Sequence, residues 1–393
     1  MKIGIAWLVA AYVLSQFYRA FLAVLAPALE RDIGVGADAL STASGIWFLT
    51  FAVMQIPVGW ALDHIGPRRT AAVLLALGGG GGAALFAAAQ GAGAINLAMA
   101  LIGVGCAPVL MASYFIFARE YRPALFGTLA GAMIGVGSFG NVAGSLPLAW
   151  AVEALGWRAT MIGLAAATFL VAVALAFTVR DPARQDSHAD GPRGSLLDLL
   201  KIPMLWPVFA MMAVNYAPAA GLRGLWSGPY LADMHGLDTG AIGQATLVMG
   251  GAMIIGAFVY GPLERLLRQR KWLIFGGNFA VLVCLLGFMF LPDITALQAT
   301  LLLAGVGLFG ATFPVLIGHA RSYFPAHLTG RGVTLMNLFG IGGAGVMQFV
   351  TGRLFDARAA APLAMQYHVV FSALAITMAL GLIAYLFSRD TID

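Results

Sequence analysis

A chain of 393 residues that is 61% hydrophobic and only 10% charged has too few polar residues to cover a soluble core, which excludes an ordinary globular enzyme. The formal net charge of +5 would suggest a nucleic-acid partner in a soluble protein, but here the basic residues fall in short stretches between apolar runs, where membrane topology explains them. The two cysteines, Cys106 and Cys284, lie inside apolar runs, so no disulfide framework, thiolate metal site or cofactor is expected.

Crossing a bilayer as a helix takes about 20 apolar residues. Twelve such runs follow one another: residues 4–28, 40–62, 70–90, 94–118, 125–151, 157–179, 203–232, 240–263, 272–291, 296–320, 332–355 and 366–387. The first follows Lys2 without a small-residue cleavage site and is expected to be a retained span rather than a signal peptide. One polar interval, residues 180–202, separates two sets of six and reads as a charged linker, giving an N-terminal bundle over 1–179 and a C-terminal bundle over 203–393. A single offset of 202 places Leu29 on Leu231, Gly34 on Gly236 and Gly59 on Gly261, as a duplicated unit would. The expected fold class is therefore an all-α membrane protein with twelve transmembrane helices in two pseudo-symmetric six-helix bundles. Most of the 22 Lys and Arg residues fall in loops on one side of this arrangement, which makes that side, and both termini, cytoplasmic.

Between runs two and three, residues 59–69 read GWALDHIGPRR. A shorter echo, Gly261-Pro262-Leu263-Glu264-Arg265 followed by Arg268, Arg270 and Lys271, sits between runs eight and nine. The first stretch resembles the loop G-x-x-x-D-R-x-G-R-R between helices two and three of the major facilitator superfamily. Gly59, Asp63, Gly66, Arg68 and Arg69 match it, and His64 replaces its first arginine. Gly156-Trp157-Arg158 at the head of run six resembles another feature of that superfamily. So does the series Gly127, Gly131, Gly135, Gly137, Gly140 and Gly144 in run five, which reads either as tight packing or as a bending hinge. The resemblance implies the major facilitator fold, a monomeric transporter in a bacterial inner membrane, and a gate at the loop. In that gate Asp63 and Arg69 would dock onto neighbouring helix ends. The alternative is a loop that only sets topology.

Charges inside spans are costly and mark functional positions. Only Arg19 in run one and Arg223 in run seven qualify clearly, and every acid lies near a span end or in a loop. Both arginines sit about 12–15 Å inside the ends of their helices at 1.5 Å per residue, close to the bilayer centre. Runs one and seven are equivalent by the repeat and would face each other across a central cavity. Two guanidinium groups without acids suit a carboxylate or a phosphate ester, which they bind in bidentate fashion; the competing role is capping of backbone carbonyls. The local text, Tyr18-Arg19-Ala20-Phe21 and Arg223 with Trp226-Ser227-Gly228-Pro229-Tyr230-Leu231, resembles the organophosphate and anion:cation symporter branch of the superfamily. Unlike many proton symporters of that branch, this chain has Tyr18 where an acid would precede the arginine.

The expected substrate-binding set is Arg19, Arg223, Tyr18, Trp226, Asn215, Tyr216, Tyr114 and Asn337, with Gln16 and Asn141 as further lining candidates. Without a midplane carboxylate, uniport or anion exchange is expected over proton symport, His319 being the nearest group able to titrate. Two rival readings differ in substrate. Met211 and Met212, with Met249 and Met253 one turn apart, could offer thioethers to copper(I). Multidrug efflux would use an embedded acid, and no run contains one. No catalytic triad, HExxH or Walker pattern is present, and Gly103-x-Gly105 lies inside a run, so neither an enzyme nor a nucleotide-driven pump is expected.

Overall fold

The structure, a computed structural model, describes residues 2–121, 129, 132–182, 196–291, 293–325 and 328–390. Among the described residues the regular structure is helical throughout. Eleven helices among the described residues are long and apolar enough to cross a membrane: Ala37–Leu62, Pro67–Ala87, Ala92–Phe117, Ala132–Leu155, Trp157–Thr178, Pro203–His235, Thr239–Leu267, Arg270–Phe290, Ala296–Arg321, Gly332–Asp356 and Leu363–Leu386. A bent pair, Ile3–Phe17 and Leu22–Ile33, precedes them and supplies the first span, for twelve in all. We number these spans one to twelve. Both first-of-bundle spans end on a left-handed glycine, Gly34 at φ +63° and Gly236 at φ +64°, a conformation that costs glycine no steric clash and stops the helix.

By internal contacts the residues group into two compact units. The first comprises Met1–Asp186, Gly224–Pro229 and Leu237–Leu247; the second comprises Ser187–Arg223, Tyr230–Gly236 and Val248–Asp393. In the first unit, small residues let helix backbones touch, the packing that substitutes for hydrophobic driving force in lipid. A methyl group on Gly105 would meet the backbone of Gly78 and Gly79, and one on Gly103 would meet the Trp47 carbonyl. The Gly-x-Gly of span four thus serves two neighbours at once, span three and span two. In span five, Gly140 packs on the carbonyl of Val13 and Gly137 on the ring of Tyr12, while the helix breaks at Ser138 and again at Gly144. Packing and bending therefore coexist in the described part of that span; Gly127 and Gly131 lie outside the described residues.

Each unit carries a fastening between its first and sixth spans at the ends opposite the hinge loops. In the first, the Trp157 indole donates to Asp32 at 2.9 Å, and Arg158 donates to the Ala87 carbonyl at 2.7 Å, tying span six to spans one and three. In the second, the Tyr367 hydroxyl donates to Asp233, tying span twelve to span seven.

Candidate functional site

Arg19 occupies the break in span one. Residues 18–21 form turns between the two helices, which meet at 52°, and the Arg19 amide donates back three residues to Gln16. Discontinuous helices at the membrane midplane leave backbone groups free to meet a polar solute. The guanidinium carbon lies 5.3 Å from the ring centre of Trp47 and 4.8 Å from that of Phe51, two residues one turn apart on span two whose rings stack on each other. Cation–π contact holds the charge without neutralising it. Nε of Arg19 is buried and makes no hydrogen bond, and the same is true of Trp47 Nε1, Gln16 Oε1 and Asn141 Oδ1. Buried polar atoms are rarely left without partners in a folded protein, so these atoms have hydrogen-bonding capacity to spare.

Arg223 sits in the π-helical segment Leu222–Trp226 of span seven. Such one-turn bulges insert a residue into a helix, and they concentrate at functional positions. The residue is only 3% exposed; its Nη2 donates to the Tyr216 hydroxyl at 3.3 Å, and its Nε has no partner. Among the described residues neither Arg19 nor Arg223 forms an ion pair with a carboxylate.

The other expected binding residues divide by what their polar atoms already do. Tyr18 is buried, and because Thr168 spends its proton on the Leu164 carbonyl, the Tyr18 hydroxyl donates to Thr168 at 2.9 Å, toward span six. Asn215 is buried and donates to Asn278 at 2.8 Å and to Thr312 at 2.7 Å, a polar knot joining spans seven, nine and ten. Both therefore fasten helices. Trp226 is buried, while Tyr114, Tyr216 and Asn337 are half-buried. Sequence reasoning missed Trp47 and Phe51. Their one-turn spacing on span two was visible, but aromatic residues in an apolar run read as packing until the arginine is seen above them.

His319 is fully buried, with Nδ1 2.6 Å from the Tyr385 hydroxyl and Nε2 2.8 Å from the Arg389 carbonyl. A carbonyl can only accept, so Nε2 carries the proton and Nδ1 accepts from Tyr385. The imidazole fastens the end of span twelve. The methionines of the copper reading are packed as well: Met211, Met212 and Met249 are fully buried, and Met249 and Met253 press on Gly307 of span ten.

At the hinge, Gly59 lies within span two with open space beside it, and Asp63 belongs to the last turn of helix Ala37–His64, its side chain being outside the description. Gly66, at φ +101°, turns the chain into the helix Pro67–Leu74, and a methyl group there would sit 2.7 Å from a carboxylate oxygen of Asp181. That carboxylate accepts from the Arg68 amide at 2.8 Å and lies 3.6 Å from Arg68 Nε. An acid on a helix N-terminus satisfies an orphan N–H and meets the positive end of the dipole. Arg68 thus meets Asp181 just past span six, and Arg69 is exposed.

Twelve spans, a broken first helix and arginines at two helix irregularities define a secondary-transporter fold. The family model described as Major Facilitator Superfamily matches residues 8–346, and the chain belongs to that family. It is an integral membrane transporter of a small molecule, not an enzyme. A gallate transporter of Pseudomonas putida is 34% identical over 158 residues, 38% of this chain and 33% of that protein, so the match spans about a third of that relative's length. An uncharacterized transporter of Bacillus subtilis (strain 168), YybO, is 22% identical over 95% of this chain and 91% of its own. Among solved structures, a D-xylose-proton symporter superposes with a TM-score of 0.77 at 14% identity, covering 98% of this chain and 97% of that one, which shows the shared fold.

Proposed function

We propose that the protein carries a small organic anion, a carboxylate or a phosphate ester, across the bacterial inner membrane by alternating access of its two bundles, 1–179 and 203–393, joined by the linker 180–202. The observation that carries this reading is that two span-interior arginines, each at a helix irregularity and each with an unpartnered Nε, lack any carboxylate partner among the described residues. Arg19 and Arg223 bind the anion, and Trp226, Tyr114, Tyr216 and Asn337 line its path. Tyr18 and Asn215 act by holding the broken helices in place. The Trp47 and Phe51 rings beneath Arg19 favour a ligand with a flat apolar body. Partial similarity to a gallate transporter supports the carboxylate class, and the arginine-bearing spans one and seven support the anion-transporting branch of the superfamily.

Gly59, Asp63, Gly66, Arg68 and Arg69 form the cytoplasmic gate, with both termini on that side, and the protein works as a monomer. With the His319 ring engaged on both nitrogens, uniport or anion exchange is preferred to proton symport. Uptake of radiolabelled aromatic carboxylates, aliphatic carboxylates and phosphate esters into proteoliposomes tests this reading. Saturable uptake of one class, lost in Arg19→Gln and in Arg223→Gln, supports it. Uptake of cations or sugars that survives both changes would sink it.

A further inference from the structure

The second unit has an apolar groove of about 520 Å³ between spans eight, nine and ten, and none of the residues proposed to bind substrate lines it. Ile255, Val259 and Leu263 form one wall at helical spacing, Leu308 closes the base, and Gly276 and Ala280 form the floor. Beside Gly276 nothing lies within 4 Å of where a side chain would begin, so a long side chain there would project into open space. The one polar pair at the base satisfies itself, Tyr260 donating to the Phe309 carbonyl at 2.9 Å. Such a groove accepts hydrocarbon and has nothing to offer a polar body.

Its mouth has a different chemistry. Leu267 and Gln269 line the groove, and between them Arg268 stands at φ +46°, ending span eight in the left-handed conformation. Glycine is the usual residue at such a helix end, because a side chain there meets steric resistance. An arginine in that place accepts strain and gains a long cationic side chain at the groove's rim. Neighbouring charges are already engaged: Arg270 lies 2.6 Å from Glu264, and Lys271 donates to the carbonyls of Leu386 and Ser388. Arg268 and Arg265 are exposed and have no carboxylate partner among the described residues. Trp272, which also lines the groove, is 53% exposed, as interfacial tryptophans are.

We propose that this groove is a binding site for an anionic phospholipid, with one acyl chain along Gly276 and Ala280 and the phosphate held by Arg268. Basic positions at the end of an apolar groove are the arrangement that anionic headgroups recognise. The site is independent of the transported substrate.

The test uses the full-length protein in detergent micelles doped with phosphatidylglycerol or phosphatidylcholine, read by melting temperature and by lipid retained in native mass spectrometry. Wild type should retain phosphatidylglycerol at least tenfold better than phosphatidylcholine and melt higher with it. Arg268→Gly should lose that preference while folding at least as well as wild type, because it relieves the left-handed strain; its failure to bind therefore cannot be assigned to misfolding. Gly276→Leu should lose retention of both lipids by filling the floor. Glycerol phosphate without acyl chains should leave the wild-type melting temperature unchanged. Equal retention of the two lipids by wild type, an undiminished phosphatidylglycerol preference in Arg268→Gly, or an equal shift with glycerol phosphate would each overturn the proposal.

Discussion

The two halves of this chain are fastened alike and equipped differently. At the hinge ends, Asp181 accepts from the Arg68 amide, and Asp390 accepts from the amides of Arg270 and Lys271 at 3.2 and 3.3 Å. In each case an acid just beyond the sixth span of its bundle caps the helix that follows the hinge. At the other ends, Trp157 donates to Asp32 and Tyr367 donates to Asp233. Yet the arginines diverge. Arg19 is half-buried in a four-residue break over two aromatic rings, whereas Arg223 is almost wholly buried in a π-helical turn and bonded to Tyr216. A duplicated bundle keeps the parts that hold its first and sixth helices together. The parts proposed to meet a solute are free to differ, and here their surroundings do.

The largest expected effect sharpens that divergence. Arg19→Lys and Arg223→Lys keep the charge but lose the planar fork, so substrate binding should fall about tenfold or more in each. At Arg19 the loss should depend on the ligand's ring, because the Trp47 and Phe51 platform goes with the guanidinium; at Arg223 it should not. Competition binding with ring-bearing and ringless carboxylates checks this, and equal losses for both ligands at both sites would erase the distinction.

The next effect concerns fit. Gly140→Val drives two methyl groups toward the Val13 carbonyl of span one. Overpacking of this kind costs ~1–3 kcal/mol, and span one should shift enough to lower uptake as well as melting temperature. The same change at Gly250, which has open space around it in span eight, should do neither. Thermal melting of the two variants side by side distinguishes packing from mere loss of glycine.

Smaller effects test the fastenings. Thr168→Val removes the acceptor of the buried Tyr18 hydroxyl, which should cost about 1–3 kcal/mol of stability while leaving the substrate's affinity within a factor of two or three. A large loss of affinity would place Tyr18 in direct contact with the ligand. Asp181→Ala and Asp390→Ala each remove a cap worth about 1 kcal/mol. Asp390→Ala should be the more damaging, since that carboxylate takes two amides; the ion pair of Asp181 is partly exposed and adds little. Asn at either position should restore most of the stability, as it caps nearly as well. Melting curves of the four variants read this directly.

Much of this was legible in the sequence, for physical reasons. Span boundaries follow hydropathy, because no backbone group can go unbonded in hydrocarbon, and the left-handed Gly34 and Gly236 were already aligned by the 202-residue repeat. The arginines were legible because a charge in an apolar run needs a reason. The breaks that carry them were not. Tyr18-Arg19-Ala20-Phe21 contains no glycine or proline, so local propensity continues the helix, and the interruption is set by packing that only the folded bundle supplies. The capping acids were hidden by unequal lengths: Asp181 lies 113 residues after Arg68, whereas Asp390 lies 120 after Arg270, so the fixed offset that linked the other landmarks passes them by.

The most direct test of the central proposal, that Arg19 and Arg223 bind an anion, is the melting temperature of the purified protein against a panel of carboxylates, phosphate esters, copper(I) and lipophilic cations. Ligands that bind the folded state raise it by mass action, by about 2.7 kcal/mol of stabilisation at a hundredfold excess over Kd. A rise with one class of anion that disappears in Arg19→Gln and again in Arg223→Gln is the expected result. A rise with copper(I) or a cation that persists in both variants, with no anion effective, would contradict it.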